Sequence, residues 1–354
     1  MRQFKKILII NIFGIGDVLF TTPILTNLKI YNKDVQIGYV CNRRTVSVIE
    51  QHPCVDQVFI YERDEFNEVY KKSKIAFWRK IKAFVQEIKN EHYDVVFDFS
   101  MNTFTGFFAW MAGIAVRSGF DYKKRGIFLN KKILLEGFDD KHVVEYYLDF
   151  LRKFNIPVKE TRLSLSIGEK DQQGALDYIE NKNFKKPIIN IMPGGGASWG
   201  KDAYYKRWPA ENFAKLADKL IEKFSVDIIL MGSLQEKELC QQVESLMKGR
   251  PTVLCGKTNI MQLAALSRIC ALNIVNDGGP LHIAVSAGSK TLSIFGPVNE
   301  YVYGPYSREG HDVVTADIAC RPCYRRFRRA SCTHISCLKN IKIEDVLRKV
   351  ENLL

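Results

Sequence analysis

The amino-acid sequence predicts an α/β protein built as two consecutive units, each a parallel sheet with helices packed on it. Three observations carry that expectation. Short apolar runs alternate with helical stripes throughout the chain, the pattern of βαβ units. Several of those runs end in glycine-rich turns, at residues 14–16, 194–196 and 278–279. The length, 354 residues, exceeds one ordinary core and points to two domains.

In the first half, strands are expected at residues 6–12, 35–41, 57–61 and 94–99. Between the last two lies a helical stripe, Trp78, Ile81, Val85 and Ile88, in a stretch (71–91) with seven basic and two acidic residues. Such a stretch reads first as a solvated helix face, with a membrane- or substrate-facing role as its alternative. Residues 155–187 are polar and irregular, with Pro157 and Pro187 near their ends, and form the expected junction. The expected division is 1–165, then 166–340 with a cysteine-rich segment at 320–337, then a terminal helix at 341–354. In the second half, strands are expected at 188–192, 227–231, 252–254, 272–276 and 291–295. A helix bearing Phe213, Leu216, Ala217, Leu220 and Ile221 starts at Pro209.

Hydrophobic content of 46% with 12% aromatics excludes a disordered chain, and a net charge of +13 favours anionic partners. The N-terminal apolar run closes on Asp17 without a small-residue cleavage site, so no signal peptide is expected. The run at 104–116 falls short of the roughly 20 residues of a spanning helix. A cytoplasmic protein is expected, or one peripheral to the inner face of a membrane. Cys41, Cys54, Cys240, Cys255 and Cys270 are scattered in apolar contexts and read as reduced thiols.

The chemistry-bearing residues cluster in loops. "PGGGASWGKDAYYKRWP" follows an expected strand, and Gly194, Gly195 and Gly196 bring backbone N–H groups close to a ligand. With Lys206 and a helix start just beyond, this is a candidate diphosphate site. In "ILMGSLQEKEL", Glu236 is either an acceptor for a ribose diol or a first-turn acid on the helix dipole. "NDGGPLHIAVSAGSKTLSIFGP" places Asp277, Gly278 and Gly279 on a strand-to-helix turn, with His282 in the helix. Near the N-terminus, "GIGDVLFTTP" sets Asp17 where a phosphate cradle would stand, with Gly16, Thr21 and Thr22 beside it as candidate acceptor contacts.

These blocks, in this order, resemble glycosyltransferase family 9, the heptosyltransferases, from about residue 6 to about residue 306. The resemblance implies the GT-B architecture: two Rossmann-like domains whose parallel sheets face a central cleft, the acceptor mainly on the first and the donor mainly on the second. It implies transfer of heptose from ADP-heptose to the lipopolysaccharide inner core. It implies Asp17 as catalytic base and Lys206 as donor-phosphate lysine. Glu236 falls at the ribose acid, and Asp277, Gly279 and His282 at the donor-sugar and phosphate loop. Where some members use hydroxyl-bearing residues for the phosphates, this chain has Gly194, Gly195, Gly196, Ala197 and Ser198. A carboxylate at Asp17 would repel a diphosphate, which agrees with a base that takes the acceptor's proton. Inversion at the anomeric carbon is expected, with no cofactor for catalysis.

"CRPCYRRFRRASCTHISCLKN" spaces Cys320, Cys323, Cys332 and Cys337 so that four thiolates could enclose a structural zinc or iron, with His334 able to replace one. The alternative is four ordinary thiols in a loop. Arg321, Arg325, Arg326, Arg328 and Arg329 lie in the same stretch, and Arg325 and Arg326 are candidate contacts to an anionic acceptor or acidic headgroups. Three other functions fit parts of the sequence: transfer from a different nucleotide sugar, a nucleotide-sugar epimerase of the same fold, and a non-catalytic basic module binding nucleic acid through the cysteine segment.

Overall fold

The computed structural model describes residues 4–184, 187–196 and 199–354. The first unit contains six strands, β1 (Lys6–Ile10), β2 (Gln36–Cys41), β3 (Gln57–Ile60), β4 (Val95–Asp98), β5 (Val116–Tyr122) and β6 (Lys131–Leu135). All its neighbours pair in parallel, in the order β3-β2-β1-β4-β5-β6. β1 and β4 lie at the centre, and their runs of buried residues reflect helices on both faces. The core gathers Leu8, Ile10, Val40 and Val96 from the strands with Ile81, Phe84, Val85 and Ile88 from the helix Lys74–Asn90. Trp78 departs from the stripe the sequence suggested: it is exposed, while Ile81, Val85 and Ile88 are buried.

The second unit repeats this plan with β7 (Ile188–Met192), β8 (Asp227–Leu230), β9 (Thr252–Val253), β10 (Leu272–Asn276), β11 (Thr291–Phe295) and β12 (His311–Thr315). Its parallel sheet runs β12-β11-β10-β7-β8-β9, which is the first sheet's order read from the other edge. A two-stranded hairpin follows, β13 (Tyr324–Arg325) with β14 (Arg328–Arg329). The closing helix, Ile343–Leu353, buries Val346 and Val350 in the core of this unit rather than standing apart from it.

The first unit runs to Phe138 and resumes over Val144–Thr161; the second takes Asp139–Val143 and Arg162–Leu354. The division thus falls within the polar stretch, four residues before the expected boundary at 165. In each unit the strand order reverses between the two central strands, β1 with β4 and β7 with β10. Loops leaving the carboxyl ends of strands at such a reversal diverge and leave a crevice for a ligand.

Candidate functional site

In the second unit the reversal brings together the loops after β7, β8 and β10, and glycines interlock them. Gly195 and Gly196 take left-handed backbone, φ +74° and +84°, and lie against the turn after β10. A methyl group at Gly278 would stand 1.7 Å from the Gly195 carbonyl oxygen, and one at Gly194 would stand 1.8 Å from Glu236 Oε1. No side chain fits at either place. Arg207 Nε donates to the Gly194 carbonyl at 2.8 Å, and Asn276 Nδ2 donates to the Pro193 carbonyl at 2.6 Å. The N-terminus of the helix Gly279–Ser286 opens at this point, capped by Gly278.

Lys206 ends the short 3-10 segment Gly200–Lys206 and is buried, an unusual place for an ammonium. Its Nζ lies 2.8 Å from Asp277 Oδ2 and 4.9 Å from the centre of the Trp199 ring. Burial pushes the Asp277 carboxyl up from its ordinary value, and the Lys206 charge pulls it partly back. His282 is buried and its ring is held well below the ordinary value, to about 3, by burial first and then by the charges of His142 and Lys206. The imidazole is therefore neutral across the physiological range.

In the first unit the turn after β1 is pinned by two asparagines. Asn42 Nδ2 donates to the carbonyls of Ile12 and Phe13 at 3.0 and 2.6 Å, and Asn11 Nδ2 donates to the Asp17 carbonyl at 2.9 Å. Gly14 caps the helix Ile15–Phe20, and Asp17 is its third residue, with Oδ2 accepting the Gly14 N–H at 3.3 Å. Asp17 is thus a capping acid by geometry, though not the N-cap itself. Across the reversal, at the end of β4, stands Asp98. It is buried, accepts from Ser100 N–H at 2.9 Å and Thr105 Oγ1 at 2.8 Å, and burial raises its carboxyl to about 6.

The family model for glycosyltransferase family 9 (heptosyltransferase) matches residues 81–334, most of the chain. The chain belongs to glycosyltransferase family 9. Lipooligosaccharide heptosyltransferase 2 of Campylobacter jejuni is 36% identical over 177 residues, 49% of this chain and 52% of that protein. The chain therefore spans about half the length of that curated relative. A family 9 glycosyl transferase from Veillonella parvula superposes with a TM-score of 0.80 at 24% identity, covering 99% of this chain and 97% of that one. E. coli heptosyltransferase WaaC, solved with ADP-2-deoxy-2-fluoro heptose, gives 0.71 at 18% identity, covering 99% and 100%. Both are likenesses of fold, and they agree with the two parallel six-stranded sheets.

Within this family 9 chain, several sequence-derived assignments change. Thr21 and Thr22 are fully buried, and their hydroxyls donate back to the carbonyls of Val18 and Leu19 at 2.7 Å each, so as folded they offer nothing to an acceptor. Gly16 is half-buried in the helix beside Asp17. Glu236, 2% exposed, spends its carboxylate on the protein: Oε1 accepts Gly196 N–H, and Oε2 accepts Ser233 N–H and Oγ, each at 2.8 Å. It staples the glycine loop to the turn after β8. Ala197 and Ser198 lie outside the described residues.

The arginines do not act as one group. Arg321 is tied down, donating to the Gly296 carbonyl at 2.6 Å and to Glu300 at 2.8 Å. Arg329 stacks 3.4 Å from the centre of the Tyr205 ring, while Arg325, Arg326 and Arg328 are exposed on the hairpin. Tyr324, at the hairpin's base, packs on Trp199, which in turn underlies Lys206. No motif marked that link, because aromatic packing leaves no fixed spacing. Cys320, Cys323, Cys332 and Cys337 converge with His334 around a cavity of about 20 Å³. Among the described residues, however, no three His, Cys, Asp or Glu side chains are grouped closely enough to hold a metal ion. The thiols line the cavity without forming a coordination shell. Among the described residues no helix is long and apolar enough to cross a membrane.

Proposed function

We propose that this family 9 protein is an inverting transferase that moves heptose from ADP-heptose to an inner-core lipopolysaccharide acceptor. One observation carries the reading: a buried ammonium, Lys206, sits where three glycine-locked loops meet at the strand reversal of the second sheet. Backbone N–H groups of residues 194–196, the start of the helix Gly279–Ser286 and Lys206 form an anion site suited to a diphosphate. Asp277 and His282 supply polar groups beside it, with Asp277 assigned to the sugar. The E. coli neighbour of this fold was solved with an ADP-heptose analogue, which supports the adenosine diphosphate donor.

In the transfer, an acceptor hydroxyl attacks the anomeric carbon while the bond from that carbon to the diphosphate oxygen breaks. ADP leaves with the electron pair, and its added charge is stabilised by Lys206 and the N–H groups. Asp17 takes the hydroxyl proton as general base. A cytoplasmic enzyme at the inner face of the inner membrane fits these substrates. Calorimetry with ADP, ADP-heptose, UDP-sugars and GDP-sugars tests the donor. Preference for another base would move the protein to a different donor, and free sugar released without acceptor would make it an epimerase.

A structural zinc or iron at Cys320, Cys323, Cys332 and Cys337 is a second, separate proposal, supported by the spacing and by the convergence of the thiols on one cavity. Closing the shell would require the thiols to draw inward. Elemental analysis of untagged protein decides it: one metal per chain sustains the site, and four titratable thiols with negligible metal remove it.

A further inference from the structure

We propose that the first unit carries a docking surface for an anionic phospholipid bilayer, made of six linked aromatic side chains and the basic residues around them. Tyr70, Phe77, Trp78, Phe107, Trp110 and Phe128 come from four separate segments, yet each ring touches the next, with centroids 5.0 to 6.5 Å apart. Phe77, Phe107 and Phe128 are half-buried and anchor the ridge, while Trp78 and Trp110 are each 52% exposed. Ile75 and Ile127 are more exposed still. Folding does not explain so much exposed aromatic and branched surface in one connected strip.

Charge decides what covers it. Residues 69–86 hold six basic side chains and no acidic one, and residues 122–135 hold five basic and none acidic. Lys71, Lys72, Lys74, Arg79 and Lys82 are exposed on the first of these stretches. Lys123, Lys124 and Arg125 are exposed on the second, where the Arg125 carbonyl accepts from Thr103 Oγ1 at 3.1 Å, at the start of the helix Thr103–Met111. Two copies meeting face to face here would set these cations against one another. An anionic bilayer instead neutralises them, while tryptophan and tyrosine rings suit the headgroup layer, apolar on one side and wet on the other.

The surface also lies at a useful end of the sheet. In a parallel sheet each helix starts at the carboxyl ends of the strands, so Trp78, early in Lys74–Asn90, shares that end with the Asp17 turn. A lipid-borne acceptor would then be met where it resides. This last step rests on the proposed acceptor, whereas lipid binding is read without any sugar transfer.

The test uses the full chain with vesicles of phosphatidylcholine alone or mixed with phosphatidylglycerol. Co-sedimentation with the anionic vesicles only, weakening with salt, is expected, with tryptophan emission quenched by brominated lipid. Trp78→Ser with Trp110→Ser should weaken partition about tenfold or more and remove most of the quenching. Lys71→Glu, Lys74→Glu and Lys82→Glu together should weaken it about a hundredfold, the ridge being intact. Both variants should bind ADP as the wild type does, which shows that they are folded. The proposal is overturned by wild type that ignores anionic vesicles at low salt, or by variants that partition equally well. It is also overturned by lipid-free dimers that the tryptophan variant dissolves, which would assign the ridge to a second copy. Vesicle binding without any ADP binding would remove the donor reading and leave the ridge in place.

Discussion

Lys206 Nζ and Asp277 Oδ2 form a buried ion pair 2.8 Å apart, joining the segment after β7 to the turn after β10. The sequence suggested separate duties for them, phosphate for one and sugar for the other. The structure makes each the counter-charge of the other. In the proposed donor site, an entering diphosphate must compete with Asp277 for the ammonium.

Lys206→Met should therefore lose ADP affinity by roughly tenfold or more, since a charge-assisted contact is gone. Asp277→Asn should bind plain ADP no more weakly than wild type, because the ammonium is released from its partner. Each single change strands one buried charged or polar partner and should cost about 3–5 kcal/mol of stability, with the double variant costing less than the sum. Calorimetry and urea melts on the four proteins read both effects. Strict additivity of the stability losses would mean that the pair is not coupled.

The glycine lock predicts a sharp positional contrast. Gly278→Ala must move the Gly195 carbonyl, 1.7 Å from the new methyl, and should abolish ADP binding while lowering stability by about 2 kcal/mol or more. Gly174, inside the helix Glu169–Asn181, has no atom within 4 Å of a built methyl. Gly174→Ala should instead raise stability by about 0.5–1 kcal/mol and leave ADP binding alone. Thermal melts with and without ADP compare them.

Much of this was legible because central parallel strands are nearly continuous apolar runs, as in β1 (KILII) and β7 (IINIM, broken only by Asn190). The strands the sequence hid are β5, β6 and β12. β5 reads VRSGFDY, with Arg117, Ser118, Gly119 and Asp121 breaking any apolar run. Gly119 is required there because a methyl would stand 2.7 Å from the Asp98 carbonyl oxygen of the neighbouring strand. β6 and β12 are edge strands, only partly buried, so their composition is mixed. At the site, glycines and strand-end acids picked out loops that meet at the reversal of the second sheet. Thr21 and Thr22 misled because closeness to Asp17 in sequence says nothing about helical rotation, which turns their hydroxyls inward. Asp98 escaped notice as one acid ending an apolar strand; only the strand order sets it beside β1.

Asp17 is read by an isosteric change. Asn at this position keeps an oxygen to accept the Gly14 N–H, so the helix start survives. What it loses is the capacity to take a proton. Asp17→Asn should lower kcat by about 10²–10⁴-fold with the melting temperature nearly unchanged and ADP affinity within a few fold. Near-full turnover in this variant would leave Asp17 a capping acid and nothing more.

Asp98 gives a stability prediction with a definite sign. Burial holds its carboxyl at about 6, against the hydrogen bonds from Ser100 and Thr105, which pull it down. Between pH 4 and 6 the unfolded chain has released a proton that the folded chain keeps. The stability supplied by protonated Asp98 is thus complete near pH 4 and lost as pH rises through 6, by roughly 3 kcal/mol. His52 and His282, held down to about 4 and about 3 by burial, work in the opposite sense, favouring the folded state as pH rises toward 6.5. They act equally in wild type and variant, so they cancel in a difference. Asp98→Asn stays neutral at every pH and can keep both contacts: its amide oxygen accepts the Ser100 N–H, and its NH2 can donate to Thr105 Oγ1 while that hydroxyl gives its one proton to the Asn102 carbonyl, 2.8 Å away. The variant should match wild type in melting temperature near pH 4 and exceed it increasingly up to about pH 7, where the gap levels off. A gap that does not change across that range would mean that Asp98 titrates as an ordinary carboxylate.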